Sequence, residues 1–465
     1  MSAPILLILL YLTWPSCLWG IKTFLIYNDA CKQCLQAEDS ALVMAECNEN
    51  SIMQKFQWIS EDQLINVGTE KCLSVSSVVE WSAVTLNTCD GKSDLQKWEC
   101  KNETLFGVLK GGLYMTYRDN KKLVLSFGTG DSRRWQIHSS KDDLCVKSYE
   151  EIYTLKGNSN GRPCKFPFKF NNKIYVDCII AGRPDGLLWC STTSDYDTDQ
   201  LHGFCPSTCK STSSIFWKTD SVTDVYYQIN SDSALTWYQA RRSCQQQGAE
   251  LLSITELHEQ AFIAGLTQDL TTALWIGLNS LDLNAGWRWD GGGPFRYLNW
   301  LPGNPSEQSG VNCVVVNTGK NTKWENKECK EKLGYICKKV PSKSSEVPSS
   351  GTNDRISCPS SWIPYNGYCY YLVKDRRIWK DAMLSCKNEE GDLVSLHNIE
   401  EASAVASQFE FGDAEYVWIG LNDLKTQLFF EWSDGSPVTY TTWQRGEPSH
   451  LKSEQEDCVA LSTKV

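Results

Sequence analysis

The stretch LWIGLN at 274–279 returns as VWIGLN at 417–422, and its surroundings return with it. Cys244, LLSITE at 251–256 and Asn299-Trp300 in the first copy answer to Cys386, LVSLHN at 393–398 and Thr442-Trp443 in the second, a period of about 142 residues. WIGL is apolar at successive positions, which predicts a strand buried on both faces. In SALTWYQARRSC (233–244), Ala234, Trp237, Ala240 and Arg241 fall at helical spacing and predict a helix ahead of Cys244. Glu256 to Gly265 predicts a second helix. Residues 340–356 between the copies are rich in Ser, Pro and Gly, cannot bury a core, and read as a linker.

Upstream, residues 21–145 carry a threefold echo. Trp58 in QKFQWIS, Trp98 in LQKWEC and Trp135 in RRWQI recur at intervals of about 40 residues, each ending a stretch of short strand-like alternation. Cys34 and Cys72 open the first two units and are answered by Cys47 and Cys89. Three four-strand units, each closing on a buried Trp, predict a β-trefoil. Residues 155–207 are shorter and denser, with Cys164, Cys178, Cys190 and Cys205 stapling a block too small to fold on burial alone.

The bulk numbers bound the function. A chain of 465 residues is too long for one core and suggests three or four domains. Its 21 Cys at wide spacings, with no CxxC…CxxC cluster and only 5 His, predict disulfides in an oxidising compartment and argue against zinc. The net charge of −11 argues against nucleic acid and against an anionic membrane surface. Ile5 to Leu12 is an apolar run of signal-peptide length, so residues 1–20 are expected to be cleaved, Cys17 with them. No later stretch approaches the roughly 20 apolar residues of a membrane span. His138, His202, His258, His397 and His450 lie apart and without a matching Ser or Cys motif, so no catalysis is expected.

On these residues the chain resembles known modules. Gln96-Lys97-Trp98 is similar to the Q-x-W signature of ricin-type lectins. GRPCKFPFKFNNKIYVDC and GRPDGLLWCSTTSDYDTDQLHGFC (161–178 and 182–205) resemble the fibronectin type II module. The two WIGLN copies, at 215–339 and 357–465, resemble C-type lectin-like domains. That order resembles the mannose receptor family, and phrases such as QKWECKN, YLNWLPG and KLGYICKK look most like its macrophage member. The implied fold class is multidomain, mainly β and α+β. The implied function is the ligand-binding part of an extracellular receptor, which binds glycans and takes collagen as a further candidate partner. The full-length relative is expected at the plasma membrane and in endosomes as a single-pass type I protein. The alternative is a protein-ligand receptor of the phospholipase A2 receptor type, with lectin-like domains as docking surfaces.

The resemblance also implies pairings and sites. It implies Cys100–Cys145, Cys164–Cys190, Cys178–Cys205, Cys244–Cys337, Cys313–Cys329 and Cys358–Cys369 beside Cys34–Cys47 and Cys72–Cys89. Cys386 and Cys458 are left without partners, so a fragment of a longer receptor is expected, and Cys31 and Cys209 could bridge each other. For sulfated glycans the candidate loop is Phe127 to Arg134, with Ser132 where the family stacks a Trp, and Arg133 and Arg134 offsetting Asp131. For collagen the candidates are Arg183, Trp189 and Tyr196, with His202 where an aromatic is usual. Calcium needs several oxygen ligands. The first lectin-like domain offers Asn304-Pro305-Ser306, Val311 and Trp324-Glu325-Asn326, which has lost two carboxylates. The second keeps Glu447 and Glu456, so calcium is expected only in a completed second domain. Asn102 in Asn-Glu-Thr is a glycosylation acceptor.

Overall fold

The computed structural model describes residues 23–101, 104–118, 122–147, 149–206, 216–341, 358–409, 411, 415–449 and 456–463. The expected signal peptide, Asn102, Cys209 and nearly all of the 340–356 linker lie outside the described residues. The chain divides into two compact units, Met1–Ser213 and Ser214–Val465.

Among the described residues, the first unit opens with twelve short strands between Phe24 and Ile137. The first, Phe24–Asn28, pairs antiparallel with the last, Trp135–Ile137, which closes the threefold arrangement on itself. Trp58, Trp98 and Trp135 are all buried. Each indole N–H donates to a main-chain carbonyl, of Leu144 (3.0 Å), Leu73 (2.8 Å) and Met115 (2.8 Å) in turn. A ring that large carries much of a small lobe's apolar burial, and its one polar atom must find a partner inside. That double demand explains why the three lobes repeat the same residue. Disulfides Cys34–Cys47 and Cys72–Cys89 staple the first and second lobes internally, and Cys100–Cys145 spans the third.

The block at 155–207 forms two hairpins, Phe168–Phe170 with Lys173–Tyr175 and Trp189–Ser191 with His202–Phe204. Cys164–Cys190 and Cys178–Cys205 staple them. A one-turn helix, Tyr196–Asp199, is capped by the Asp195 side chain. Asp197 from this helix accepts the main-chain N–H groups of Asn171 (2.8 Å) and Asn172 (3.2 Å), tying the first hairpin's turn to the second. This block does not sit on a core of its own. Phe166, Phe168 and Trp189 pack in one apolar cluster with Ile59 and Ile65 of the trefoil and its Cys72–Cys89 bridge.

In the second unit, the first WIGLN strand, Ala273–Asn279, runs through the middle of a sheet. It lies parallel to Leu333–Lys339 and antiparallel to Cys313–Asn317. The helix expected from the spacing of Ala234, Trp237, Ala240 and Arg241 begins at Trp237, after Ala234. Ser233–Leu235 belong to the strand Tyr226–Leu235, paired with Leu333–Lys339, and Thr236 starts the helix with a reciprocal cap to Gln239. The second helix is Leu257–Leu266. Cys244–Cys337 and Cys313–Cys329 bridge this domain.

The second copy repeats the plan with helices Trp379–Asn388 and Ile399–Gln408, the strand Tyr416–Asn422, and Cys358–Cys369. Among the hydrogen bonds reproduced in both copies is that from the Trp237 indole to Ile276 O (2.9 Å) and from the Trp379 indole to Ile419 O (2.8 Å). Each anchors its helix over the glycine-containing strand. Among the described cysteines Cys31, Cys386 and Cys458 are unpaired. The Cys31 thiol lies 3.8 Å from Asn28 O. Burial pushes the Cys386 thiol up and the Cys458 thiol up to about 11, so both stay protonated and poorly nucleophilic at neutral pH.

Candidate functional sites

In the trefoil, the 3₁₀ turn Asp131–Arg133 presents the predicted loop. Ser132 turns inward: its hydroxyl takes part in a 3.0 Å bond with Thr116 Oγ1, and its carbonyl accepts from Asn28 Nδ2 (3.2 Å). Arg134 lies 3.6 Å from Asp131, so part of its charge is spent locally. Arg133 donates from Nε to Ser126 Oγ (3.0 Å), at the end of the strand Leu123–Ser126. These three residues therefore offer one guanidinium and no stacking face.

The stacking face comes from elsewhere. Trp81 is 49% exposed and has φ +68, a left-handed conformation uncommon for any residue but glycine. Its amide donates to Leu125 O (2.8 Å), which sets it beside the strand whose end holds Arg133. The Arg118 guanidinium lies over the Trp81 ring at 4.4 Å from its centre. Phe127, 57% exposed, follows that strand, and its N–H donates to Glu80 Oε1. An exposed indole under one guanidinium thus lies beside this strand, with an exposed phenyl and a second guanidinium at its Ser126 end. Sequence reasoning passed over Trp81 because it stands outside the 40-residue register of the lobe tryptophans. Standing out of register next to Glu80 was the only available signal.

In the type II block the predicted residues do come together, but with a different division of labour. Trp189 is 3% exposed and its indole donates to Ala181 O (2.9 Å). It is core, not a docking face, because it is the largest ring available to fill so small a module. The half-buried rings around it form the surface. Tyr196 packs at 4.7 Å from Trp189, and His202 at 6.0 Å from both. Arg183 lies over Phe204 at 4.5 Å and donates from Nε to Asp185 (3.0 Å). Arg183, Tyr196, His202 and Phe204 therefore line one amphipathic patch with Trp189 beneath it.

The calcium positions of the first lectin-like domain do not fit the ion. Asn326 Oδ1 accepts the Ser306 N–H (2.7 Å), and its amide donates to the carbonyls of Ser306 and Val311 (2.8 Å each). An amide N–H thus points at the oxygens that a cation would need. Glu325 is paired with Lys320 and Asn317. In the second domain, Glu447 Oε2 accepts the Ser449 N–H (2.8 Å), so the carboxylate caps its own loop, and Glu456 is exposed. Among the described residues, the His, Cys, Asp and Glu groups close enough to hold a metal all contain disulfide-bonded cysteines, and neither glutamate is in one.

Comparison with known proteins follows the same division. The model for the "MRC2-like, N-terminal cysteine-rich domain" matches residues 21–146, that for the fibronectin type II domain 164–205, and that for the lectin C-type domain 233–339 and 375–465. C-type mannose receptor 2 of Mus musculus is 39% identical over 449 residues, 94% of this chain and 30% of the relative. Lymphocyte antigen 75 of Mesocricetus auratus is 34% identical over 457 residues, 97% of this chain and 26% of the relative. The secretory phospholipase A2 receptor of Mus musculus is 34% identical over 462 residues, 96% of this chain and 30% of the relative. The chain thus spans under a third of the length of these relatives. The likeness holds at the level of the family, and these matches do not single out the macrophage member that local phrases suggested.

Proposed function

Since the chain is a homologue of the mannose receptor family, we propose that it is the ligand-binding ectodomain portion of an endocytic receptor, taking anionic glycans on its trefoil and denatured collagen on its type II module. Like its relatives it is a receptor and not an enzyme. Among the described residues no helix is long and apolar enough to cross a membrane. Extracellular placement, with the full-length protein a single-pass type I receptor cycling through endosomes, belongs to the same proposal.

The observation that carries the glycan reading is the exposed Trp81 ring under the Arg118 guanidinium, with Arg133 and Phe127 at the Ser126 end of the strand beside it. A sugar's C–H face stacks on an indole, and a sulfate takes charge-assisted hydrogen bonds from guanidinium groups. Collagen docks as an extended proline-rich strand on aromatics flanked by an Arg, which Tyr196, His202, Phe204 and Arg183 supply.

The test uses the full chain on a sulfated-saccharide array and on immobilised gelatin, each with calcium and with a chelator. Binding to both surfaces is expected to survive chelation. Absence of any sulfate-dependent signal would overturn the first assignment, and absence of gelatin retention the second. The protein-ligand alternative is favoured by one finding, the self-satisfied Asn326 network in place of a calcium cage.

A further inference from the structure

Within the second unit, each lectin-like domain sends the loop after its WIGLN strand onto the other. Gly286 N–H donates to Trp443 O (2.8 Å) and Trp287 N–H to Glu447 O (3.0 Å). Leu298 N–H likewise donates to Leu428 O, and in the opposite sense Phe430 N–H donates to Arg296 O, both at 2.8 Å. Tyr297 and Phe429 form an antiparallel bridge between these segments, and Arg296 lies over the Phe429 ring at 4.6 Å. Side chains reinforce the exchange. The Trp443 indole donates to Phe295 O (2.8 Å), and Thr441 Oγ1 accepts the Phe295 N–H (2.9 Å).

The exchange uses corresponding loops of the two copies, with different partners on each side. Trp300 and Trp443 are equivalent, as are Trp287 and Phe430, and each domain contributes both pieces. Trp287, Leu298 and Trp300 share one apolar cluster with Phe430, Trp432 and Val438. Gly286 is the close-approach point. A Cβ there would meet Gln444 O at 2.3 Å and Glu447 O at 2.4 Å, main-chain atoms that cannot swing aside.

We infer that residues 286–298 and 428–447 are a dedicated docking surface whose partner is the neighbouring lectin-like domain of the same chain. The two domains thereby act as one rigid body. The segment carrying Glu447 is a strap between domains, and any ligand of this pair is met by faces other than that loop. Main-chain hydrogen bonds running both ways hold the pair together, as in strand addition to a sheet edge.

Hydrogen–deuterium exchange on the full chain tests this. Peptides covering 284–298 and 428–447 are expected to be protected together in the unaltered protein. Gly286→Val is expected to speed exchange at least tenfold in both, while Tyr226–Leu235 and Leu333–Lys339 keep their protection. Trp443→Leu, approaching from the other domain, should open 284–298 to the same extent, and Gly265→Ala, with nothing within 4 Å of its Cβ position, should change neither. Should Gly286→Val unfold the first domain, seen as exchange in Tyr226–Leu235, Trp443→Leu alone decides. Fast exchange of both segments without any substitution, or loosening confined to the substituted domain, overturns the inference. So does a calcium-dependent slowing across 440–449.

Discussion

At the scale of single residues, two tryptophans exchange the roles their positions suggest. Trp189 sits in a motif read as a binding surface and is core, whereas Trp81 sits in no motif and is surface. The register of Trp58, Trp98 and Trp135 was legible because a repeated burial demand leaves a repeated residue. Trp81 was not legible because its exposure depends on a left-handed φ and on a strand formed more than 40 residues later. Ser132 was legible as a loop residue, but its inward turn depends on Thr116 and Asn28, neither adjacent in sequence. On this basis Trp81→Ala should weaken binding of a sulfated saccharide by about three- to tenfold, the range expected for losing one aromatic stack. Ser132→Ala should leave it unchanged. Titration of the saccharide against intrinsic fluorescence measures both, and equal loss in the two variants would return the site to the Asp131–Arg133 turn.

At the scale of elements, stability rests on a few points of close contact. Gly334 is the second residue of the strand Leu333–Lys339, which pairs with both Tyr226–Leu235 and Ala273–Asn279. A Cβ there would meet Leu274 Cδ2 at 2.6 Å and Asn230 O at 2.7 Å. Gly334→Ala should therefore destabilise the first lectin-like domain by about 1–3 kcal/mol, the usual cost of overpacking, read as a lower urea midpoint. In the type II module, main-chain N–H groups of Asn171 and Asn172 hold the Asp197 carboxyl below the ordinary aspartate range. A folded-state pKa below the unfolded one stabilises above the unfolded value and is lost as pH falls through the folded value. Asp197→Asn should thus be less stable than the unaltered chain near neutral pH, and the gap should close below about pH 4. Urea midpoints across that interval test it, and a gap constant with pH would show that charge on Asp197 plays no part. The helices and strands here were readable from periodicity. The delayed start at Trp237 was not, because the choice of strand for Ser233–Leu235 is made by pairing partners a hundred residues downstream.

At the scale of the whole molecule, three kinds of module were visible in the sequence as blocks of cysteine spacing and repeat. What the blocks share was not. Neither the cluster joining Ile59 and Ile65 to Phe166 and Trp189 nor the exchange between 286–298 and 428–447 leaves a local pattern, since each depends on surfaces meeting across long stretches of chain. The donor sets predict that ligand capture is indifferent to calcium. Saccharide and gelatin affinities measured with millimolar calcium and with a chelator should agree within about twofold, well under the 1.4 kcal/mol that a tenfold change represents. A larger calcium dependence would require oxygen ligands beyond Glu447.

The shared core of the first unit also bears on how a receptor resists being pulled. If the proposed fibrous ligand is held on the Arg183–Tyr196 patch, load on the type II module passes through Phe166, Phe168 and Trp189 into the trefoil's second lobe. There the Cys72–Cys89 bridge lies under the contact, so a covalent link stands behind it. The apolar contact between the two modules would then carry that load as many weak contacts shared over one cluster.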